Sequence, residues 1–322
     1  MSMNINPMDT EKLISGDHPL WSQSYYFNFY DPKSKVGGIT RIGVFEHRKE
    51  ANDWFIFFRD GKPLYTRING NLAYTAGRPD PGMEVAGIRL TSIAPLMKAR
   101  IEYSSPEFAV DLLCEGLQPM VDCVALSRDE AGALAEELAY IHMEGTFRIT
   151  GSITLRNSER IEIDGTGLRD VSAGPRNWDY LLSYNLAWPV FSNGMAFVGV
   201  HAISTHGTNA YFKIFYDGKQ WSPIKRIEDK NEYEKDGMTI KSLHWRFWDS
   251  SGRMFEINGK PLCSFPCPLD GFVVNSHMME YKLADGTVGY GLAEAAFRYD
   301  SLTPGPVADI RLANTFPPLR QS

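Results

Sequence analysis

His142 and Glu144 stand two residues apart in "YIHMEGTFRITG", a run with the alternation of a strand. Side chains at i and i+2 of a strand share a face, so the imidazole and the carboxylate would lie side by side. That spacing suits a relayed proton or a shared hydrogen bond to substrate. A second group lies in "GTGLRDVSAGPRNWD", residues 165–179, where Arg169, Asp170, Arg176 and Trp178 are set among Gly165, Gly167 and Gly174. As strand neighbours, Arg169 and Asp170 would point to opposite faces and share a site only if the glycines bend the chain. A carboxylate held beside an arginine stays ionised, whereas one in an apolar, aromatic pocket keeps its proton and serves as an acid. Arg176 and Trp178 would then supply a charge clamp and a stacking wall. A structural alternative stands beside each reading: a latch between domains for residues 165–179, and a satisfied polar pair in a barrel interior for His142 and Glu144.

Other chemistry finds little support. The remaining histidines, His18, His47, His201, His206, His244 and His277, form no H-E-x-x-H or Cys/His framework, although His201 and His206 are close together. No metal is expected. Ser172 lies in "DVSAG", outside any G-x-S-x-G elbow. Neither G-x-G-x-x-G nor a P-loop sequence is present, so no cofactor is expected. Cys114, Cys123, Cys263 and Cys267 form no C-x-x-C pair and read as reduced thiols.

The elements that must position these residues read as strands. The chain has 322 residues, 43% hydrophobic and 22% charged, a size that suits two cores and hence two domains. Aromatic residues make up 12% of it, and many lie in alternating runs such as "DWFIFF", where Trp54, Ile56 and Phe58 share a face. Asx-Gly pairs punctuate these runs at Asp60-Gly61, Asn69-Gly70, Asn193-Gly194, Asp217-Gly218, Asn258-Gly259 and Asp285-Gly286, each a candidate two-residue hairpin turn. One segment breaks the rhythm: Ser127 as N-cap, Glu130 three residues later, and Leu134, Leu138 and Ile141 at helical spacing predict a helix over about 128–139. The two halves also echo one another, His142/Glu144 in the first and His277/Glu280 in the second. The fold class is all-β, with antiparallel barrels or sandwiches; small barrels bury one apolar ligand in their mouths. A net charge of −6 argues against nucleic acid as a partner. No run of eighteen apolar residues occurs and the start lacks a basic n-region and an apolar h-region, so a cytoplasmic protein without a transmembrane segment is expected.

Four stretches in order, "WSQSYYFNFYD" (Trp21–Asp31), "HMEG" (His142–Gly145), "GTGLRDVSAGPRNW" (Gly165–Trp178) and "GYGLAE" (Gly289–Glu294), resemble the hydroxyneurosporene synthase and AttH-like superfamily. The usual element there reads Gly-x-Arg-Asp-His-Ser-Trp-Gly-x-Arg. Gly167, Arg169, Asp170, Ser172, Gly174 and Arg176 match it, while Val171 and Ala173 replace the expected His and Trp, so roles at those two positions do not carry over.

The resemblance implies two consecutive lipocalin-like domains, placed at 1–178 and 179–322. It also implies chemistry on an apolar isoprenoid, terpenoid or polyketide-like substrate without a redox cofactor: hydration or dehydration, isomerisation or cyclisation. Asp170 would give or take the proton, Arg169 and Arg176 would fix its ionisation, and His142 with Glu144 would position water or a hydroxyl. Aromatic faces from Trp178, Tyr184, Tyr26 and Phe29 would stabilise developing cationic charge, with Glu294 among the substrate contacts. The competing reading is a carrier that binds a lipid, terpenoid or steroid-like molecule and performs no chemistry. Either role leaves room for a homodimer.

Overall fold

The computed structural model describes residues 16–74, 82–127, 132, 135–269 and 271–302. Strand accounts for 70% and helix for 6% of the structure, in two curled antiparallel sheets. The all-β expectation holds, and for the reason given: aromatic and β-branched runs fit a pleated, buried surface. The chain divides into two compact units, residues 1–122 with 140–175, and residues 123–139 with 176–322.

The first unit contains β1 (Trp21–Asp31), β2 (Val36–Phe45), β3 (Glu50–Arg59), β4 (Lys62–Ala73), β5 (Gly82–Val85), β6 (Ile88–Ala94), β7 (Lys98–Ser104), β8 (Phe108–Gly116), β9 (Val121–Asp122), β10 (Ile141–Leu155) and β11 (Arg160–Pro175). Its sheet order is β4-β3-β2-β1-β11-β10-β8-β7-β6-β5, with β9 paired to β10. The second contains β12 (Leu181–Phe191), β13 (Ala196–Ser204), β14 (Asn209–Tyr216), β15 (Trp221–Pro223), β16 (Arg226–Tyr233), β17 (Ile240–Trp248), β18 (Met254–Leu269), β19 (Phe272–Leu283) and β20 (Val288–Arg298). Its order is β15-β14-β13-β12-β20-β19-β18-β17-β16, the same path through the sheet. In both, the strand that opens the unit pairs with the one that closes it.

Odd-numbered residues of β1, β3 and β11 enter the first core: Tyr25, Phe27, Phe29, Phe55, Phe57 and Val171 pack there with Phe108 and Phe147. The opposite face of β1 is buried along its whole length as well. Burial on both faces removes the polar/apolar alternation by which a sequence announces which side meets the core. The second core is built the same way around Phe197, Phe215, Trp245, Phe247, Tyr281 and Phe297.

Asp60-Gly61 makes its hairpin turn with both residues at positive φ, 50° and 73°, as that turn requires. Asn193-Gly194, Asp217-Gly218 and Asp285-Gly286 also fall between strands. Asn69-Gly70 and Asn258-Gly259 instead lie inside β4 and β18. Each asparagine there serves a cross-strand partner: Asn69 Nδ2 donates to Asp53, and Asn258 Oδ1 accepts from His244 Nδ1. Register with the neighbouring strand overrode the local turn signal. Of the helix expected at 128–139, residues 132 and 135–138 are helical. Residues 128–131 and 133–134 lie outside the described residues. A separate four-residue helix, α1, spans Cys123–Leu126. Among the described residues no helix is long and apolar enough to cross a membrane.

Candidate active site

The site begins with the pairing of three strands. Tyr26 of β1 stands directly opposite Asp170 of β11, and Asp170 opposite Glu144 of β10. On the far side of β1, Tyr26 faces Arg41, which faces Trp54. One row therefore crosses five strands as Trp54, Arg41, Tyr26, Asp170 and Glu144, all on the face of the sheet turned away from the core. The adjoining row carries Asn52, Gly43, Ser24, Ser172 and His142.

Two carboxylates directly opposite each other on neighbouring strands repel. His142 resolves this repulsion. Its Nε2 lies 3.0 Å from Asp170 Oδ2 and 3.2 Å from Glu144 Oε1, so one N–H serves both acids. Burial alone would push the imidazole towards neutrality, but the charges and hydrogen bonds of Asp170 and Glu144 outweigh it and raise its pKa to about 10. At neutral pH the group is an imidazolium between two carboxylates. Glu144 is buried, while His142 and Asp170 are each partly open. Asp170 Oδ1 is buried and meets no hydrogen-bond partner among the described residues.

At the other end of the row, Arg41 stacks over the Trp54 ring at 5.0 Å and donates to Asn52 Oδ1. Tyr26 meets the same ring edge-on, with centroids 6.4 Å apart. The phenol thus lies between a negative pair and a cation, on a face floored by aromatic rings.

The glycines of residues 165–174 do not bend β11. Its pairing with β1 and β10 runs without a register shift from Thr166 to Ala173. A Cβ at Gly167 would come within 1.8 Å of the Asn28 carbonyl oxygen, so glycine is there to let β1 approach closely. Because the strand stays straight, Arg169 projects to the core side, over the Phe27 ring at 5.0 Å. Burial lowers its pKa to about 9, and the nearby charge of Asp170 opposes that shift. Phe29 also lies on the core side, tilted against Phe57. Val171 is in the core and Ala173 follows it on the same side, so neither replacement touches the face that carries His142 and Asp170.

The other expected residues belong to the second unit. Tyr184 donates its hydroxyl hydrogen to Glu294 Oε2 at 2.8 Å, and Ser276 donates to Oε1 at 3.1 Å. Trp178 opens a short 3₁₀ turn and packs on Phe272, centroids 5.6 Å apart. Arg176, just beyond β11, is half-buried. His201 and His206 part company: His201 Nδ1 bonds Asp229 at 3.0 Å, whereas His206 packs edge-on against Tyr180.

Sequence reasoning placed His142, Glu144, Asp170 and Tyr26 in a site, and they occupy one continuous face. Arg41, Asn28 and the site-facing role of Trp54 escaped it. The available signal was a charge, Arg41, inside the apolar run "GGITRIG"; nothing local says that β2 lies two strands from Asp170.

Solved structures share the architecture. A protein assigned as AttH from Nitrosomonas europaea is similar with a TM-score of 0.62 and 10% identity, covering 87% of this chain and 93% of that one. CghA, crystallised with Sch210972, is similar with a TM-score of 0.61 and 10% identity over 87% and 89% of the two chains. Kievitone hydratase from Nectria haematococca is similar with a TM-score of 0.53 and 12% identity over 86% and 88%. These likenesses establish a shared β fold. No curated protein matches the sequence. A family model matches residues 10–298, and the chain belongs to that family, described as Domain of unknown function (DUF7064).

Proposed function

We propose that the protein is an acid/base enzyme that needs no redox cofactor, a hydratase or dehydratase, isomerase or cyclase, acting on an apolar isoprenoid, terpenoid or polyketide-like molecule. The observation that carries this reading is His142 bonded to both Asp170 and Glu144. A proton held between two acids is a ready reservoir. Asp170 presents its second oxygen, Oδ1, to the substrate while Oδ2 exchanges a proton with His142 Nε2. Glu144 keeps the imidazolium in place and stabilises its charge when the proton has moved.

In dehydration, His142 passes its proton to Asp170, which delivers it to the departing hydroxyl; the hydroxyl leaves as water, and the cluster is one proton short until the next step. The C–H proton adjacent to the cationic carbon is then lost to a carboxylate of the cluster as the double bond forms. Hydration is the reverse: the alkene gains the proton and water adds to the cation. The face of the Tyr26 ring stabilises the cationic carbon through its quadrupole. Such positioned proton transfer contributes about 10²–10⁴-fold to rate. The name of one structural relative, kievitone hydratase, is in keeping with this chemistry. The orientation of Val171 and Ala173 towards the core supports the catalytic reading over a pure carrier, because the two departures from the superfamily element leave the His142–Asp170 face intact.

The test is solvent isotope uptake. The protein is incubated with mixed apolar metabolites in ¹⁸O- and deuterium-labelled water, and products are read by mass spectrometry. Label incorporated by the native protein and not by Asp170→Asn supports the enzyme. Bound molecules recovered unlabelled and unchanged would make the protein a carrier.

A further inference from the structure

Asn28 lies on β1, one row along from Tyr26, opposite Leu168 of β11 and Ile39 of β2. It is 0% exposed, and neither its Nδ2 nor its Oδ1 meets a hydrogen-bond partner among the described residues. Two strands away, Thr146 is already committed, donating to Gln118 Oε1 at 2.7 Å. Burying an amide without hydrogen bonds costs about 1–3 kcal/mol by protein measurements, and a leucine of similar size would carry no such cost. An asparagine in an apolar row is thus expensive unless a bound molecule satisfies it.

A second observation lies beside it. Asp170 Oδ1, on the same face, is also buried without a partner. Asn28 and Asp170 are diagonal neighbours on paired strands, a relation that sets residues about 7–8 Å apart and their Cβ atoms somewhat closer. One oxygen hydrogen-bonded to both side chains spans about 5–6 Å, which their side chains close. The demand is specific: Asn28 Nδ2 needs an acceptor, and Asp170 Oδ1 can accept a hydrogen bond from a donor. A hydroxyl group is the smallest function that is both.

We propose that Asn28 is a positioning residue which, together with Asp170 Oδ1, binds a hydroxyl group of the substrate, so that the substrate is an oxygenated apolar molecule and not a bare hydrocarbon. The inference rests on the acid/base reading of the His142–Asp170–Glu144 cluster and narrows its substrate class. It also gives Asp170 its direction: the hydroxyl held by Asn28 is the one whose proton or C–O bond Asp170 acts on.

The probes are 2-naphthol and naphthalene, which differ by one hydroxyl and whose fluorescence reports binding. The native protein is expected to bind 2-naphthol about tenfold or more tightly than naphthalene. Asn28→Leu is expected to erase that preference by weakening 2-naphthol alone, with naphthalene affinity and melting temperature equal to or above native values. Asn28→Ala answers the same question should the leucine variant fail to fold. A preference that survives in either folded variant, or equal binding of both probes by native protein, overturns the proposal and leaves the acid/base reading standing. Failure of native protein to bind either probe overturns the reading that this face takes an apolar molecule, and the proposal with it.

Discussion

His142 and His277 occupy β10 and β19, the sixth strands of two sheets that follow the same path, yet the two imidazoles are in opposite states. His142 faces away from the core, between Asp170 and Glu144, and its pKa rises to about 10. His277 faces the core of the second unit; the Ile240 N–H donates to its Nε2 at 2.9 Å, and burial lowers its pKa to about 4. The resemblance between "SHMMEY" and "IHMEG" is therefore one of letters, because a one-residue change of parity turns an imidazole from a proton reservoir into a neutral acceptor. At the corresponding face of the second unit stands Glu294, satisfied by Tyr184 and Ser276. Duplicated topology thus supplies two equivalent central faces, and among the described residues only the first brings an imidazole against two carboxylates.

The sharpest way to break this comparison is to neutralise each carboxylate. Asp170→Asn is expected to lower turnover by about 10²–10⁴-fold, the contribution of a positioned proton-transfer group. Glu294→Gln, which keeps hydrogen-bonding capacity, is expected to leave turnover within about tenfold of native. Equal losses in single-turnover assays would show that both faces do the chemistry.

Next in size are the cores. Phe55 is fully buried against Phe57, Tyr103, Tyr65 and Phe108, so Phe55→Ala is expected to cost about 3–5 kcal/mol in denaturant unfolding. Trp245→Phe in the second core loses ring volume and the 3.0 Å bond from Nε1 to Asn231, an expected cost of about 1–3 kcal/mol.

A smaller effect is set by pH, and the two histidines give it opposite signs. The raised pKa of His142 adds stability that is fully present below its unfolded value near 6.5 and is lost as pH climbs to about 10. The lowered pKa of His277 costs nothing above about 6.5 and removes stability as pH falls towards 4, since the unfolded chain there binds a proton that the folded one refuses. Melting curves from pH 4 to 10 are expected to show His142→Gln differing from native on the acidic side and converging with it in alkali, and His277→Gln gaining on native protein as pH falls. Identical profiles would remove the distinction between the two imidazoles.

The smallest expected effect is a control. Arg148 and Asp164 pair across β10 and β11 at 2.8 Å on the exposed surface, and the double replacement by alanine is expected to leave the melting temperature and turnover unchanged.

The residues themselves determined what is local. Alternation of period two makes the strands, and Asp60-Gly61 carries its own turn because only certain residues accept two positive φ angles. His142 and Glu144 share a face because i and i+2 on any strand do. Only the tertiary structure decided which face that is. Residues 26 and 170 became opposite partners when β11 closed against β1, and the burial of whole hydrophobic sets fixed that register. The same pairing kept β11 straight, sending Asp170 to His142 and Arg169 to Phe27, and left Asn69-Gly70 inside a strand despite its turn signal. Local dihedral preferences are worth about a kilocalorie per mole or less for each residue, whereas a one-residue slip would exchange every core side chain for its neighbour.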